Sequence, residues 1–366
     1  MTARGEDVRW MRRALELAPR GWGRVAPNPL VGSVVVRDGR AVGEGWHREY
    51  GGPHAEVEAL QAAGEDARGA TVYVTLEPCT HWGKTPPCTE ALCEAGVRRV
   101  VFAAPDADPE AGGGAGVLRL AGIQVEGGVE EEAARDQNAA FFHAHSPDGA
   151  RRPFVALKLG LSLDSRIADC DGRSVWVTGE EARAEVHRLR AGFDAIAVGL
   201  GTAVADDPLL TVRGAVEPRV PPARVVFDRS LRLPADGRLA RTAREAPVFV
   251  VTTAEASAAR RAALQTAGVR VLDAADGLAA ACRVLREAGI RSMFVEGGGE
   301  LAGSLLRAGL VDRLYLFYAP LFLGPGGLSP FAALESLPIT EAARWRRLDT
   351  EAFGADTLVT LHRNAH

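Results

Sequence analysis

Four residues in the first quarter of the chain have the types and the spacing of a metal site with a neighbouring acid. His54 is followed two residues later by Glu56, and Cys79 and Cys88 each come directly after a proline. One histidine and two cysteines supply the nitrogen and sulfur ligands that zinc prefers, and three ligands leave a fourth position open for water. Glu56 is near enough along the chain to take a proton from that water and pass it to a leaving amine. These residues therefore predict one catalytic zinc ion per chain.

The two cysteines on their own allow a disulfide or simple packing as well as a metal site. Eight residues separate them in LEPCTHWGKTPPC, and the chain has five cysteines, an odd number. The N-terminal residues carry charges throughout and lack the apolar run of a signal peptide, so we expect a cytoplasmic protein with reduced thiols. The pattern H-x-E followed by two cysteines is typical of zinc-dependent base deaminases, although their cysteines are usually separated by two residues. We leave His81 out of the ligand set because water needs the fourth position, and we expect Cys93 to pack in the core.

A glycine-rich turn in the second half of the chain is a candidate phosphate site. The stretch MFVEGGGELAGSLL predicts a strand, three glycines at 297–299 and a helix. Glycine lets a phosphate approach the backbone, and the helix N-terminus offers unpaired N–H groups. The spacing fits G-x-G-x-x-A, but no acid follows about 20 residues later in a strand, as a dinucleotide-binding unit requires. From the residues alone, a tight turn without a ligand therefore stays open.

Helix and strand patterns alternate along both halves of the chain and predict an α/β architecture in layers. Runs of β-branched residues flank Asp38-Gly39 and predict a hairpin, and a helical pattern begins at His54 and ends at Gly64. A single helix is predicted over EEEAARDQNAAFFHA, followed by a polar linker in HSPDGARRP. After the linker the alternation restarts, and the final strands have no helix between them. We therefore expect a mostly parallel sheet with an antiparallel edge.

The bulk composition is typical of a globular protein with two domains. The chain has 366 residues, which is too many for one ordinary core, and we place the domains at 1–147 and 148–366. The formal net charge of −4 gives no reason to expect a nucleic-acid partner or a membrane surface. The sequence has no run of about 18 apolar residues that would cross a bilayer.

The first half resembles the deaminase half of the bifunctional deaminase–reductases of riboflavin biosynthesis. The resemblance rests on APNPLVGSVVVRDGRAVGEGWH, GGPHAEVEAL and LEPCTHWGKTPPCTEAL. It implies a cytidine-deaminase-like domain that replaces the 2-amino group of 2,5-diamino-6-(5-phosphoribosylamino)pyrimidin-4(3H)-one with oxygen. It also implies that Asn28 binds the pyrimidine, whereas its place between two prolines is equally that of a turn former. The loop PDADPEAGGGAG departs from the family's usual D-P-N-P pattern.

The second half resembles the reductase half of the same family, through ALKLGLSLDSRIA, SVWVTGEEAR and VGLGTAVADDPLLTVR. It implies a dihydrofolate-reductase-like domain that reduces the ribosyl group to ribityl with NADPH. The implied substrate contacts are Ser174, Arg190, Leu210, Arg213 and Glu296. The implied NADPH contacts are Gly160, Trp176, Thr202, Asp206, Gly298, Gly299, Glu300, Leu301, Ala302, Gly303 and Ser304.

The chemistry of these residue types agrees with the implied roles. Arg190 and Arg213 can bind the substrate phosphate through paired N–H groups. Lys158 and Glu296 are candidates for positioning the opened sugar and its proton, with Lys158 as the catalytic group, although a surface lysine and a helix-end acid are the plain alternatives. Ser165 stands where the family usually has glycine, so we expect a local difference in the backbone.

The sequence thus predicts a bifunctional enzyme that acts on small pyrimidine phosphates, with a homo-oligomer left open. Two alternatives remain from the residues alone. One is a deaminase of another base with a nucleotide-binding second half that reduces nothing. The other is a non-catalytic nucleotide sensor, which would have no use for Glu56 as a proton carrier.

Overall fold

The computed structural model describes residues 3–174, 177–253, 255–274, 277–336 and 338–364, so Trp176 lies outside the described residues. The chain divides into an N-terminal unit, residues 1–146, and a C-terminal unit, residues 147–366. Each unit has a sheet of its own. Within the described ranges, no helix combines the length and the apolar character needed to span a bilayer.

The N-terminal unit is built on a five-stranded sheet in the order β2-β1-β3-β4-β5. The pairs β1–β2 and β1–β3 are antiparallel, whereas β3–β4 and β4–β5 are parallel. All six residues of β3 are buried. Since successive strand residues point to opposite faces, the centre of this sheet is covered on both sides. The elements are α1 (Ala3–Leu17), β1 (Gly32–Arg37), β2 (Arg40–Trp46), α2 (Ala55–Ala63), β3 (Thr71–Leu76), α3 (Cys88–Glu94), β4 (Arg99–Ala104), α4 (Gly114–Leu120), β5 (Gln124–Gly127), α5 (Glu131–Gln137) and α6 (Ala139–Ala144).

The hairpin predicted at Asp38-Gly39 is confirmed. Arg37 pairs with Arg40 across the turn, and both central residues have positive φ, 50° and 72°, as a type I′ turn requires. Strand β2 then carries two glycines that face α2. A Cβ atom at Gly43 would lie 2.2 Å from the carbonyl oxygen of Ala59. The missing side chains therefore allow α2, which begins just after His54, to pack directly on the sheet.

The single helix predicted after residue 130 is wrong in one respect, because the structure has two helices with a break between them. Asn138 lies between α5 and α6 with φ −107° and ψ 25°. Its side-chain oxygen accepts the backbone N–H of Leu30 at 2.8 Å, and its side-chain N–H donates to the carbonyl of Leu30 at 2.8 Å. The helix is interrupted where this buried side chain bonds to a segment 108 residues away.

The C-terminal unit has a nine-stranded sheet in the order β10-β9-β8-β7-β11-β6-β12-β14-β13. All its neighbouring pairs are parallel except β12–β14 and β13–β14, which confirms the predicted antiparallel edge. The elements are β6 (Phe154–Ser162), α7 (Glu180–Arg190), β7 (Ala195–Gly199), α8 (Leu200–Asp206), β8 (Ala223–Phe227), α9 (Arg238–Arg241), β9 (Val248–Thr252), α10 (Ala258–Thr266), β10 (Arg270–Asp273), α11 (Leu278–Glu287), β11 (Ser292–Glu296), α12 (Gly299–Arg307), β12 (Arg313–Ala319), β13 (Trp345–Phe353) and β14 (Asp356–Arg363).

The tight turn that follows β6 includes Ser165 in a left-handed conformation, with φ 56°. The turn is closed by two backbone hydrogen bonds, from Ser165 N–H to the Ser162 carbonyl and from Ser162 N–H to the Arg166 carbonyl, each 2.9 Å long. A residue with a Cβ atom is strained in this region of φ, whereas glycine is not.

We expect Ser165→Gly to raise the free energy of unfolding by up to about 1 kcal/mol, because the strain of the left-handed serine is removed. Thermal and urea unfolding of the full chain measure the effect. Ser165→Ala is the matched control, since it keeps the strain and removes only the hydroxyl. Equal stability of the glycine and alanine variants would contradict the explanation from backbone strain.

Candidate functional sites

His54, Cys79 and Cys88 come together in the N-terminal unit. Their ligand atoms all lie within 4.8 Å of one another. His54 Nδ1 is 3.1 Å from Cys88 Sγ and 3.5 Å from Cys79 Sγ. Tetrahedral zinc, with its usual bond lengths, places nitrogen and sulfur ligands about 3.6 Å apart. The donor types and their spacing therefore fit zinc.

Three different elements position these ligands. His54 is the residue that precedes α2, Cys88 is the first residue of α3, and Cys79 lies in the loop after β3. The backbone of Cys79 is fixed by Thr89, whose hydroxyl donates to the Cys79 carbonyl at 3.2 Å. The backbone N–H of Cys88 points at Cys79 Sγ, at 3.4 Å. A hydrogen bond with Cys88 and a further one with His54 lower the pKa of Cys79 well below that of a free thiol, which favours the thiolate that a metal requires.

The outer side of the His54 ring also has a partner. Its Nε2 lies 3.4 Å from the hydroxyl of Thr85, in the loop that leads to Cys88. Groups of this kind orient a ligating imidazole and select the nitrogen that faces the metal. In this ring Nδ1 faces the two sulfurs.

Glu56 lies in the first turn of α2 and lines the same cavity as His54 and Cys79. Its side chain is buried, with a relative exposure of 4%. Burial raises the pKa of Glu56 to about 6. A carboxyl group in this range can accept and release a proton near neutral pH, as a general acid and base must. The position predicted for the proton carrier is therefore next to the metal ligands.

Asn28 lines this cavity too, and His47 holds it in place. His47 Nδ1 lies 2.9 Å from the carbonyl of Pro53, so this nitrogen carries the proton. The other nitrogen, Nε2, then accepts the side-chain N–H of Asn28 at 3.2 Å. Burial lowers the pKa of His47, which favours the neutral ring that this arrangement needs. Asn28 keeps one N–H and its carbonyl oxygen for a ligand.

Sequence reasoning missed His47 and three further residues in this cavity of about 350 Å³. Asp106 follows β4, and burial raises its pKa to about 6. Lys84 has its ammonium 4.1 Å from the centre of the Tyr50 ring, a cation–π contact. Tyr50 and Lys84 are far apart in the sequence, so their contact could not be predicted from it. His47 and Lys84, however, lie in the stretches APNPLVGSVVVRDGRAVGEGWH and LEPCTHWGKTPPCTEAL that carry the family resemblance, and this could have identified both. Cys93, in contrast, is exposed, so the expectation that it packs in the core is wrong.

In the C-terminal unit, Lys158 and Glu296 are direct neighbours on the adjacent parallel strands β6 and β11. Their side chains therefore share one face of the sheet. Arg190, the last residue of α7, bonds Glu296 through two N–H groups at 2.5 Å and 3.0 Å. Burial would raise the pKa of Glu296, but the charges of Arg190 and Lys158 and the hydrogen bond from Arg190 lower it. Burial and the charge of Arg190 lower the pKa of Lys158.

Gly160 and Thr202 lie beside parts of this predicted site. A Cβ atom at Gly160 would be 3.7 Å from the Lys158 ammonium, so Gly160 lies next to that group. The hydroxyl of Thr202 would be 3.7 Å from a Cβ atom at Gly298, the residue before α12. Thr202 and Gly298 are therefore direct neighbours.

The glycines of α12 have a packing reason that sequence reasoning did not foresee. A Cβ atom at Gly299 would lie 2.1 Å from the carbonyl oxygen of Ser329, and one at Gly303 would lie 2.8 Å from the backbone nitrogen of Ala333. Both glycines, like Ala302, are buried against the chain around them. Glu300 is exposed, and Leu301 and Ser304 are half-buried. Among residues 298–304, the predicted NADPH contacts around the start of α12, Gly298 faces Thr202.

The remaining predicted residues lie in separate segments. Leu210 is buried and has φ 49°, and Arg213 is exposed three residues later. Ser174 is exposed after β6, and Asp206 is exposed at the end of α8. The structure thus brings Arg190 and Glu296 into contact, with Lys158 beside Glu296 on the adjacent strand.

Comparisons with known proteins cover both units. Residues 4–104 match the family model of the cytidine and deoxycytidylate deaminase zinc-binding region, and residues 153–359 match that of the RibD C-terminal domain. The chain is 41% identical to the riboflavin biosynthesis protein RibD of Aquifex aeolicus, over 98% of each chain. It is 40% identical to that of Escherichia coli, over 98% of this chain and 99% of the other.

Solved structures give the same result. A structure of Acinetobacter baumannii RibD is 38% identical, covers 99% of this chain and all of its own, and has a TM-score of 0.83. A deaminase/reductase structure from Thermotoga maritima is 36% identical, covers 99% of each chain and has a TM-score of 0.82.

We expect Cys79→Ser and Cys88→Ser to lose most of the bound zinc, because each removes a thiolate from a set of three ligands. Elemental analysis of the purified chain measures the zinc-to-protein ratio. Cys93→Ser and Cys170→Ser are the matched controls, since both cysteines are exposed and outside the ligand set. Zinc retained at the wild-type ratio in both ligand variants would return the cysteine loop to a structural role.

Proposed function

The chain belongs to the RibD family of riboflavin biosynthesis proteins, and from this membership we propose which residues carry out each of its two reactions. It is a zinc-dependent deaminase and NADPH-dependent reductase. It deaminates 2,5-diamino-6-(5-phosphoribosylamino)pyrimidin-4(3H)-one and then reduces the ribosyl group, which yields 5-amino-6-(5-phosphoribitylamino)uracil. A deaminase of another base or a nucleotide sensor does not account for a match to this family over 98% of the chain.

We assign deamination to residues 1–147 and reduction to residues 148–366. The two family matches, at 4–104 and 153–359, fall on either side of this boundary and support the assignment. A cytoplasmic location is part of the proposal, because thiol ligands stay reduced there and the five cysteines are free.

The observation that carries the deaminase assignment is the meeting of His54, Cys79 and Cys88, with buried Glu56 lining the same cavity as His54 and Cys79. When bound, zinc supplies the Lewis acidity that makes water a nucleophile near neutral pH. Glu56 takes the proton of the attacking water and delivers it to the leaving 2-amino group. Asn28, oriented by neutral His47, presents the rest of its amide to the pyrimidine edge.

In the reductase unit, NADPH supplies the hydride that reduces the opened sugar. Lys158 supplies the accompanying proton, since its desolvated ammonium has a lowered pKa and releases a proton more readily. Glu296 forms an ion pair with Arg190 and lies beside Lys158 on the adjacent strand. Arg213 is exposed, and together with the remaining Nη2 N–H group of Arg190 it binds the substrate phosphate.

The cofactor contacts complete the proposal. Gly160, Thr202 and Gly298 are proposed to contact NADPH, since the hydroxyl of Thr202 lies beside Gly298 and neither glycine covers the backbone with a side chain. The other proposed NADPH contacts are Trp176, Asp206, Gly299, Glu300, Leu301, Ala302, Gly303 and Ser304, and Ser174 and Leu210 are proposed on the substrate side.

We expect Glu56→Gln to keep its zinc and to lose deamination by at least about 10²-fold, because the amide cannot carry the proton. Product formation from the diaminopyrimidine phosphate, followed by mass, measures the loss, and elemental analysis checks the metal. Glu65→Gln, an exposed glutamate just after α2, is the control with full activity expected. Near-normal deamination by Glu56→Gln would remove Glu56 from the mechanism.

A chelator that strips zinc should stop deamination while NADPH oxidation on supplied deaminated substrate continues. The reason is that every zinc ligand lies in the N-terminal unit. Lys158→Met should have the opposite effect, with reduction lowered by at least about 10²-fold and deamination intact. Circular dichroism accompanies both assays, because zinc can also stabilise its own unit. Loss of reduction on chelation, with the fold preserved, would contradict the assignment of separate sites.

A further inference from the structure

The segment from Leu210 to Arg213 in the C-terminal unit has no helix or strand of its own. It begins at Leu210 in a left-handed conformation, with φ 49°. Such a conformation costs free energy for a side-chain-bearing residue, so it persists only where surrounding contacts hold it. Leu210 belongs to the same buried hydrophobic cluster as Ile196 and Val226, and helix α7 holds the residues that follow it.

Two side chains one turn apart on α7, Arg190 and His187, form hydrogen bonds with the backbone of this segment. Arg190 donates from Nη1 to the carbonyl of Thr211 at 2.8 Å, while its other donors hold Glu296. His187 accepts the backbone N–H of Arg213 on its Nδ1 at 3.2 Å. Since side chains three residues apart lie on the same helix face, the two contacts act side by side.

The contact from His187 requires a neutral imidazole with its proton on Nε2, because a protonated ring has no acceptor nitrogen. The surroundings enforce this state. Burial, followed by the positive charges of Arg190 and Arg213, lowers the pKa of His187 to about 4. The acceptor is therefore present throughout the neutral pH range.

The packing of α7 does not depend on this histidine. The residues that α7 buries are Ala182, Glu185, Val186 and Leu189, whereas His187 is half-buried on the side of the segment. A truncation at 187 therefore leaves the apolar contacts of the helix in place. What it removes is the acceptor for the backbone N–H of Arg213, at 3.2 Å, and a longer contact of 3.5 Å between Nδ1 and Arg190 Nη1.

We propose that His187 is a positioning residue of the reductase site, which fixes the backbone of Arg213 so that its guanidinium meets the substrate phosphate. This inference rests on the proposed function, in which Arg213 binds that phosphate. His187 itself touches neither substrate nor cofactor. Its loss weakens the binding of phosphorylated substrate and leaves the hydride transfer step unchanged.

The test is steady-state reduction by the full chain, with the deaminated substrate supplied and NADPH saturating. His187→Ala should raise KM about tenfold, the scale of one lost hydrogen bond, with kcat within about twofold of wild type. His187→Asn should restore most of the binding, because the amide oxygen can take the place of Nδ1 as acceptor. Deamination by the same samples checks the enzyme concentration, and circular dichroism of the full chain checks the fold.

Two comparisons separate positioning from other causes. With substrate that lacks the phosphate, the His187→Ala variant and wild type should have the same KM. Arg213→Met should raise KM for the phosphorylated substrate at least as much as His187→Ala does.

A normal KM in His187→Ala, beside a raised KM in Arg213→Met, would overturn the role of His187 and leave the proposed function standing. A normal KM in Arg213→Met would overturn both the phosphate assignment and the inference built on it. A fall in kcat that His187→Asn does not restore would show a merely structural histidine, and would overturn the proposal as well.

Discussion

The close packing of α2 on β2 is the constraint on which the deaminase site depends. His54 precedes this helix and Glu56 lies in its first turn, so the helix carries both a proposed metal ligand and the proposed proton carrier. Glycine at 43 and 45 brings the helix backbone within van der Waals contact of the strand. A side chain at either position would push the helix outward and, with it, His54 away from the two thiolates. Metal and acid are thus positioned together by one helix–sheet contact.

The proposed reductase site depends on the guanidinium of Arg190, as the proposed deaminase site depends on the packing of α2. Arg190 joins the end of β11, through Glu296, to the irregular segment at Thr211. All three of its nitrogen atoms make hydrogen bonds within the protein, to Glu296, Thr211 and His187, so it is fixed before any ligand arrives. Lys158 on the next strand adds a second positive charge beside Glu296. One carboxylate between two cations balances the charge that burial would otherwise make costly.

Both sites place ionisable groups in desolvated surroundings and shift them in directions that suit their roles. Burial raises the pKa of Glu56 to about 6 and lowers that of Lys158, and each shift brings a proton transfer closer to neutral pH. Neutral histidines have the supporting role in both units. His47 accepts from Asn28, and His187 accepts from the backbone of Arg213. An acceptor that stays neutral holds its partner without adding charge to the site.

The cluster of His54, Cys79 and Cys88 could be predicted from the sequence alone, because zinc chemistry constrains both residue type and spacing, and with Glu56 these residues lie within 35 residues, 54–88. The hairpin at Asp38-Gly39 and the antiparallel edge were predictable for similar reasons, since turn geometry and strand order act locally. Only the tertiary structure decided the pairing of Arg190 with Glu296, which are 106 residues apart, and the break at Asn138 that Leu30 imposes. These contacts join surfaces that the chain brings together only when folded, so no local pattern encodes them. The glycines of α12 show the same limit. Their spacing in the sequence predicts a phosphate-binding turn, whereas in the structure Gly299 and Gly303 have no room for a side chain because Ser329 and Ala333 pack against them.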